Sequence, residues 1–148
     1  MADRITLVLP LPPRELSPNR AKRGRTTGAD RQRRRLARVY RHQVQLIARE
    51  ACGGLGPRWP AAVLWPFWVM ADRRRRDRDN AAASFKSGLD GLVDAGLLAD
   101  DQHVLPMPIR WRLDRAAPRL VLVVERTELD RLGLVYLPDH VQGPSSDS

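Results

Sequence analysis

The chain has 148 residues, 43% of them hydrophobic, and a formal net charge of +9. This length suits one domain with a real core, and the single cysteine, Cys52, excludes an internal disulfide and a cysteine cage around zinc. No run of about 18 apolar residues occurs, and the N-terminus lacks the apolar segment of a secretory signal. We therefore expect a cytoplasmic protein that does not span a membrane.

The positive charge is concentrated in the first third of the chain. Residues 1–50 carry 13 Lys or Arg and 4 Asp or Glu, whereas residues 51–148 carry 13 of each kind. A basic block of this size is typical of an anion-binding surface, and nucleic acid is its commonest target. The alternative is a solvated surface that serves solubility. Only two of the 26 basic residues are lysine, Lys22 and Lys86, which makes both conspicuous.

The first third predicts a strand, a loop, a basic arm and a long helix. Residues 4–10 are rich in β-branched residues and predict the strand, and the prolines of residues 11–20 exclude a helix there. Residues 22–28 form the arm, and residues 30–51 show helical periodicity. The apolar face of that helix comprises Leu36, Tyr40, Val44, Ile47 and Ala51, with Val39 beside it.

A second stripe along the helix of residues 30–51 is basic. Arginine forks match phosphate oxygens, and few acids lie on this stripe to neutralise it. We predict that DNA contacts this stripe, the loop and arm before it, and the arginine run at residues 73–76; a solvated helix face is the alternative. The predicted DNA-binding residues are Asn19, Arg20, Lys22, Arg23, Arg25, Arg31, Arg34, Arg38, Arg41, Arg74, Arg75 and Arg76.

The rest of the chain predicts three more strands and one more helix. Residues 61–70 are apolar throughout and strand-like, and Pro66 favours an edge strand or a bulge. Residues 80–95 predict a helix that Asp79 caps and Gly96 ends, and strands follow at residues 103–113 and 120–125. The order β-α-β-α-β-β is that of an α+β domain, a small mixed sheet with two main helices.

Three aromatic residues of the 61–70 strand favour a buried core or a dimer interface, with stacking on bases as the alternative. They are Trp65, Phe67 and Trp68. We assign residues 1–126 to the domain and residues 127–148 to a C-terminal extension with a disordered end.

Seven aspartates lie within residues 72–101 of this otherwise basic chain. Carboxylates that share a site repel one another, and a bound cation relieves the repulsion. Mg²⁺ prefers oxygen ligands and often takes a few carboxylates together with a substrate phosphate. Asp77 and Asp79 are two residues apart, which places both on one side of an extended segment, and Asp101 returns from the far end of the helix.

We therefore predict a metal-dependent nuclease site. Asp77, Asp79 and Asp101 would hold the metal, and Lys86, about two helical turns beyond Asp79, would stabilise charge in the transition state. Each residue also has a structural interpretation: a helix cap, a turn or a solvated side chain. The chain has no G-x-S-x-G, P-loop or H-E-x-x-H motif that would favour another chemistry.

Three sequence blocks resemble the RusA family of Holliday-junction resolvases, which are phage and prophage endonucleases. The first is the proline loop, Leu9-Pro-Leu-Pro-Pro with Ser17-Pro-Asn-Arg20. The second is Asp72-Arg-Arg-Arg-Arg-Asp77-Arg-Asp79-Asn80. The third runs from Lys86-Ser-Gly-Leu-Asp90 to Asp100-Asp101-Gln-His-Val104.

This resemblance implies a homodimer that resolves four-way DNA junctions by paired, Mg²⁺-dependent nicks during DNA recombination and repair, with Mn²⁺ as an alternative metal. It implies Asp77, Asp79 and Asp101 as metal ligands and Lys86 as a catalytic residue. It also implies supporting roles for Asn80, Asp90 and Asp100.

Three features depart from the family pattern. Residues 81–83, all alanine, lengthen the segment between Asn80 and Lys86; residues 14–16 are extra; and the tail has no counterpart. The alternative function is a non-catalytic, basic DNA- or RNA-binding protein, which would not need the three aspartates. A subunit that recruits a partner through its tryptophans is a third interpretation.

Overall fold

The computed structural model describes residues 3–18 and 27–129, and in them a five-stranded sheet is combined with helices. The predicted coarse class, α+β with a small mixed sheet, is confirmed. Five predicted DNA-binding residues (Asn19, Arg20, Lys22, Arg23 and Arg25) and most of the C-terminal extension lie outside the described residues. The elements are β1 Arg4–Leu9, α1 Thr27–Ala51, β2 Ala62–Met70, α2 Arg78–Ser84, α3 Lys86–Asp94, β3 Val104–Pro106, β4 Arg110–Leu113 and β5 Arg119–Arg126.

Strand β2 lies at the centre of the sheet. It pairs antiparallel with β5, which in turn pairs antiparallel with β1. On its other side β2 pairs in parallel with β3 and then with β4. Because parallel strands need a crossover, α2 and α3 carry the chain back from the end of β2 to the start of β3. None of the described helices is both long and apolar enough to cross a membrane.

The prediction that Pro66 places its strand at the edge is wrong, because β2 has neighbours on both sides. Proline lacks an N–H, so it cannot donate to a neighbouring strand. The carbonyl of Leu64, two residues earlier, accepts a hydrogen bond from the N–H of Met107. The backbone polar groups of residue 66 face the same side of the strand. On that side β3 ends at Pro106 and β4 begins at Arg110, so the pairing of strands is interrupted opposite Pro66.

One face of the sheet is buried, and we call it the closed face. Its register aligns Leu9, Leu120, Trp68 and Trp111 in a single row across the four strands. Helix α1 is buried at Tyr40, Val44 and Ala48 and belongs to the same core. The predicted apolar face of α1 is thus confirmed at its centre, whereas Val39 (49% exposed) and Ala51 are exposed.

The opposite face of the sheet, which we call the open face, is apolar but only partly buried. Opposed residues in the register place Val8, Val121 and Phe67 in one row and Val123 and Trp65 in the next. Val8 is 57% exposed, and the other four are half-buried. Of the three aromatic residues of β2, only Trp68 therefore belongs to the core.

The predicted continuous helix over residues 80–95 is wrong, because two short helices meet at Phe85. The backbone of Phe85 has φ −87° and ψ 0°, and its N–H bonds to the carbonyl of Ala82, a tightened 3-10 turn. Its ring packs edge-on against Tyr40, with 6.3 Å between centroids, and over Gly88. The predicted end at Gly96 is confirmed by its positive φ of 77°.

We predict that Gly91→Ala destabilises the protein by about 1–3 kcal/mol, because a Cβ there would lie 2.4 Å from the Arg41 carbonyl oxygen and force α3 away from α1. Urea denaturation followed by circular dichroism measures this change. The matched control is Gly28→Ala, where a Cβ meets nothing within 4 Å. An equal effect of the two substitutions would contradict the close packing of α1 and α3.

Candidate active site

Asp77 caps helix α2, a role that the sequence had indicated for Asp79. Its Oδ1 accepts hydrogen bonds from the backbone N–H groups of Asp79 at 2.9 Å and Asn80 at 3.2 Å. The cap satisfies N–H groups that have no partner within the helix and fixes the Asp77 carboxylate at the start of α2. Asp79 lies in the first turn, exposed, and its side chain accepts no hydrogen bond from any described residue.

Lys86 joins two of the predicted site residues. Its Nζ donates to Asp101 Oδ2 at 2.6 Å and to Asp90 Oδ1 at 3.1 Å. The pKa of Lys86 is raised, mainly by the hydrogen bond to Asp101 and secondly by that to Asp90. Lys86 in turn lowers the pKa of Asp101. Lys86 is therefore held as a cation between two carboxylates, and the structure brings Lys86 and Asp101 together.

The break at Phe85 decides where Lys86 points. In a continuous helix Lys86, seven residues after Asp79, would lie on the same face as Asp79 and about two turns further along. Instead it begins α3, and its side chain crosses to the turn that carries Asp101. Asp100 shapes that turn by accepting the N–H of Gln102 at 2.8 Å.

The three predicted metal ligands are not assembled into a metal site. Within residues 3–18 and 27–129, no group of three or more His, Cys, Asp or Glu could hold a metal ion. The connectivity gives the reason: Asp77 follows the C-terminal end of β2, whereas Asp101 shortly precedes Val104, which pairs with Ala62 at the opposite end. Asp101 is paired with Lys86 instead. The residues as placed do not form the predicted three-carboxylate cage.

Asp72 organises the arginine run at residues 73–76. Its carboxylate accepts the backbone N–H of Arg74 at 3.0 Å and an Arg76 guanidinium N–H at 2.6 Å, and these bonds lower its pKa. Arg76 is consequently folded onto its own loop, whereas the Arg74 side chain remains 80% exposed. The run thus pairs with Asp72, not with Asp77 or Asp79.

Two open grooves flank this arginine run. The first, about 560 Å³, is lined by all four arginines together with Met70 and Trp111. The second, about 690 Å³, is lined by Asp77 and Asn80 together with Pro12 and Pro13 of the proline loop. Tyr40 Oη donates to the carbonyl of Pro10 at 2.8 Å and ties that loop to α1. The first two sequence blocks of the resemblance therefore face the same groove.

The predicted basic stripe of α1 divides into two parts. Arg31, Arg34 and Arg38 are exposed, and none of the three forms a salt bridge with a described residue. Arg41 instead forms a two-pronged pair with Asp94, Nε to Oδ2 at 2.5 Å and Nη2 to Oδ1 at 2.8 Å. The hydrogen bond raises the pKa of Arg41 and lowers that of Asp94.

Asp72 and Asp94 are not among the predicted site residues, yet both hold arginines of the predicted DNA-binding set. A weak signal was present for each: Asp72 stands four residues before Arg76, and Asp94 stands four residues after Asp90 on the face that meets α1. Which helix Asp94 faces depends on tertiary packing. His103 Nδ1 is buried and has no hydrogen-bond partner in the described part of the chain.

Comparison with known proteins adds no family assignment. No protein-family model matches this chain, and no curated protein matches it either.

Proposed function

We propose that this protein is a structure-selective DNA endonuclease of RusA-like fold that resolves four-way junctions by paired nicks. The observation that supports it best is the contact of Lys86 with Asp101 at 2.6 Å. These residues stand fifteen positions apart, and the sequence predicts a role in the site for each of them. A lysine held among carboxylates beside a basic surface is an arrangement suited to phosphodiester chemistry.

The charges around the site favour a phosphate polymer as the substrate. The exposed arginines of α1 and the arginine-lined groove of about 560 Å³ offer cations on two elements. Such contacts position a nucleic-acid backbone without reading its sequence. Asp77 and Asn80 line the same groove as the arginines at residues 74–76. A nucleic-acid backbone bound in this groove would therefore pass the start of α2.

The protein groups suggest a division of roles. Lys86 would place a positive charge next to the phosphate as charge develops on it, and Asp90 and Asp101 keep Lys86 protonated. Asp77 and Asp79 would act at the start of α2, with Asn80 and Asp100 supporting the local backbone. Mg²⁺ dependence, with Mn²⁺ as an alternative, is part of the proposal.

The second candidate is a non-catalytic DNA- or RNA-binding protein. Two observations favour it: Asp77 serves as a helix cap, and Asp101 is neutralised by Lys86. In this case the acids would stabilise the fold, and only the basic surface would be functional. Cleavage separates the two candidates, because both predict binding.

We expect cleavage of a labelled four-way junction with Mg²⁺, no cleavage with EDTA, and little cleavage of a linear duplex of the same arm sequences. Asp79→Asn should lower the rate about 100-fold or more without loss of folding, because the Asp79 side chain supports no described contact. Denaturing gels that resolve nicks on each strand give the measurement.

Glu50→Gln, at the end of α1, is the matched control and should cleave like the wild type. Binding of the junction without Mg²⁺-dependent cleavage by the wild-type protein would reject the nuclease and support the second candidate. Normal cleavage by Asp79→Asn would reject the site assignment while leaving the activity intact.

For DNA binding, we expect Arg38→Gln to weaken junction affinity and to reduce the slope of log K against log salt concentration by about 1, because one phosphate contact is lost. Fluorescence anisotropy at several salt concentrations measures both. Arg119→Gln removes the same charge from an arginine that already pairs with Asp114 at 2.9 Å, and should change the slope little. Equal slopes for the two variants would exclude the α1 stripe as the binding surface.

The homodimer is also part of the proposal, and we assign its interface to the open face. A two-fold dimer needs a self-complementary patch, and Val8, Phe67 and Val121 form an apolar row there. Arg112 lies over the Phe67 ring at 5.7 Å and adds a cation beside this row. Apolar sheet faces of this kind gain free energy when a partner covers them.

Phe67→Glu should convert a dimer into a monomer in sedimentation velocity, because it places a charge at the centre of the open face. Leu55→Glu makes the same type of change at a loop residue that is 89% exposed, and should remain dimeric. Circular dichroism verifies that both variants fold. A monomeric wild type, or a Phe67→Glu variant that stays dimeric, would contradict this interface.

A further inference from the structure

Five charged groups link α1 to the turn that carries Asp101. Arg41 on α1 donates two hydrogen bonds to Asp94, and its Nη1 lies 4.0 Å from Asp90 Oδ2. The other oxygen of Asp90 accepts a hydrogen bond from Lys86 at 3.1 Å, and Lys86 reaches Asp101 at 2.6 Å. Asp90 therefore faces a different cation with each of its oxygens.

Helical spacing explains why these groups form a row. Lys86, Asp90 and Asp94 follow one another at intervals of four residues on α3, so all three lie on one face. Gly91 lets that helix approach the backbone of α1 closely, since a Cβ there would lie 2.4 Å from the Arg41 carbonyl oxygen. The row on α3 thus meets α1 at Arg41.

The geometry of the Arg41–Asp94 pair indicates a structural role for Arg41. The side chains of Asp90 and Asp94 are 31% and 30% exposed, and that of Arg41 is 47% exposed. A two-pronged guanidinium–carboxylate pair fixes orientation as well as distance. Two of the five N–H donors of Arg41, on Nε and Nη2, are used by Asp94. Arg38, one turn earlier, has no salt-bridge partner among the described residues.

We propose that Arg41 is a positioning residue for Lys86 and not a DNA contact: by holding Asp94 and flanking Asp90 it sets α3 so that Lys86 is centred on Asp101. The role of Lys86 in cleavage rests on the proposed function. The coupling from Arg41 to Lys86 is a property of the folded chain alone. It can therefore be tested with and without DNA.

The scarcity of lysine makes the DNA-free test direct. With ¹⁵N-labelled lysine the full chain contains two labelled side chains, Lys22 and Lys86, and Lys22→Arg assigns the remaining side-chain signal to Lys86. We expect Arg41→Gln and Asp94→Asn each to shift the Lys86 NH₃⁺ resonance and to broaden it as its ion pairs loosen. Arg119→Gln, which breaks an ion pair elsewhere, should leave it unchanged. An unchanged Lys86 signal in both Arg41→Gln and Asp94→Asn would overturn the proposal.

The cleavage test separates positioning from DNA contact. Arg41→Gln should slow cleavage of bound junction about tenfold while changing its Kd less than about twofold. Asp94→Asn should slow cleavage similarly, although it makes the protein more positive. If Arg41 contacted DNA, Asp94→Asn would instead free the Arg41 guanidinium and tighten DNA binding. Arg41→Gln would then weaken DNA binding as Arg38→Gln does. These two results together would reject the positioning role.

The two proposals fail in different ways. A wild-type protein that never cleaves branched DNA rejects the proposed function, while the Lys86 resonance still reports whether Arg41 positions it. A wild-type protein that cleaves, with a Lys86 resonance insensitive to Arg41 and Asp94, rejects only the positioning role.

Discussion

Helices α1 and α3 pack side by side with a separation that Gly91 makes possible, and the charged groups around the candidate site take their places from that contact. A side chain at residue 91 would collide with the backbone of α1 at Arg41. Above this contact, Tyr40 meets Phe85 and anchors the break between α2 and α3. Beside it, Arg41 meets Asp94. One close approach between helices thus determines both the direction of α3 and the position of Lys86.

The sheet divides the molecule into two regions of different chemistry. Its closed face packs with α1 in the core, which leaves the basic stripe of that helix on the outside. Its open face presents aliphatic and aromatic residues on β1, β5 and β2, and Arg110 of β4 stands opposite Phe67. The proposed polyanion surface on α1 and the proposed dimer surface on the open face can therefore coexist in one small domain, because they lie on opposite sides of the sheet.

Four of the seven aspartates in residues 72–101 form ion pairs with cations of the described residues. Asp72 holds Arg76, Asp94 holds Arg41, and Asp101 holds Lys86. Pairing lowers the repulsion that a group of carboxylates would otherwise suffer, which is the same problem that a metal ion would solve. Within the described residues the basic composition of the chain supplies that neutralisation.

The sequence by itself determined the element types, the basic stripe of α1 and the candidate site residues, because hydrophobic period, caps and charge are local properties. Strand β1, helix α1 and the end at Gly96 follow from such signals. Only the tertiary structure decided that β2 is central, because the interruption opposite Pro66 is made by residues forty positions away. It also decided that the second helix breaks at Phe85, where the ring must reach Tyr40. Finally, it decided which carboxylate each cation meets: Lys86 lies fifteen residues from Asp101 and Arg41 fifty-three from Asp94, and no local pattern specifies contacts over such separations.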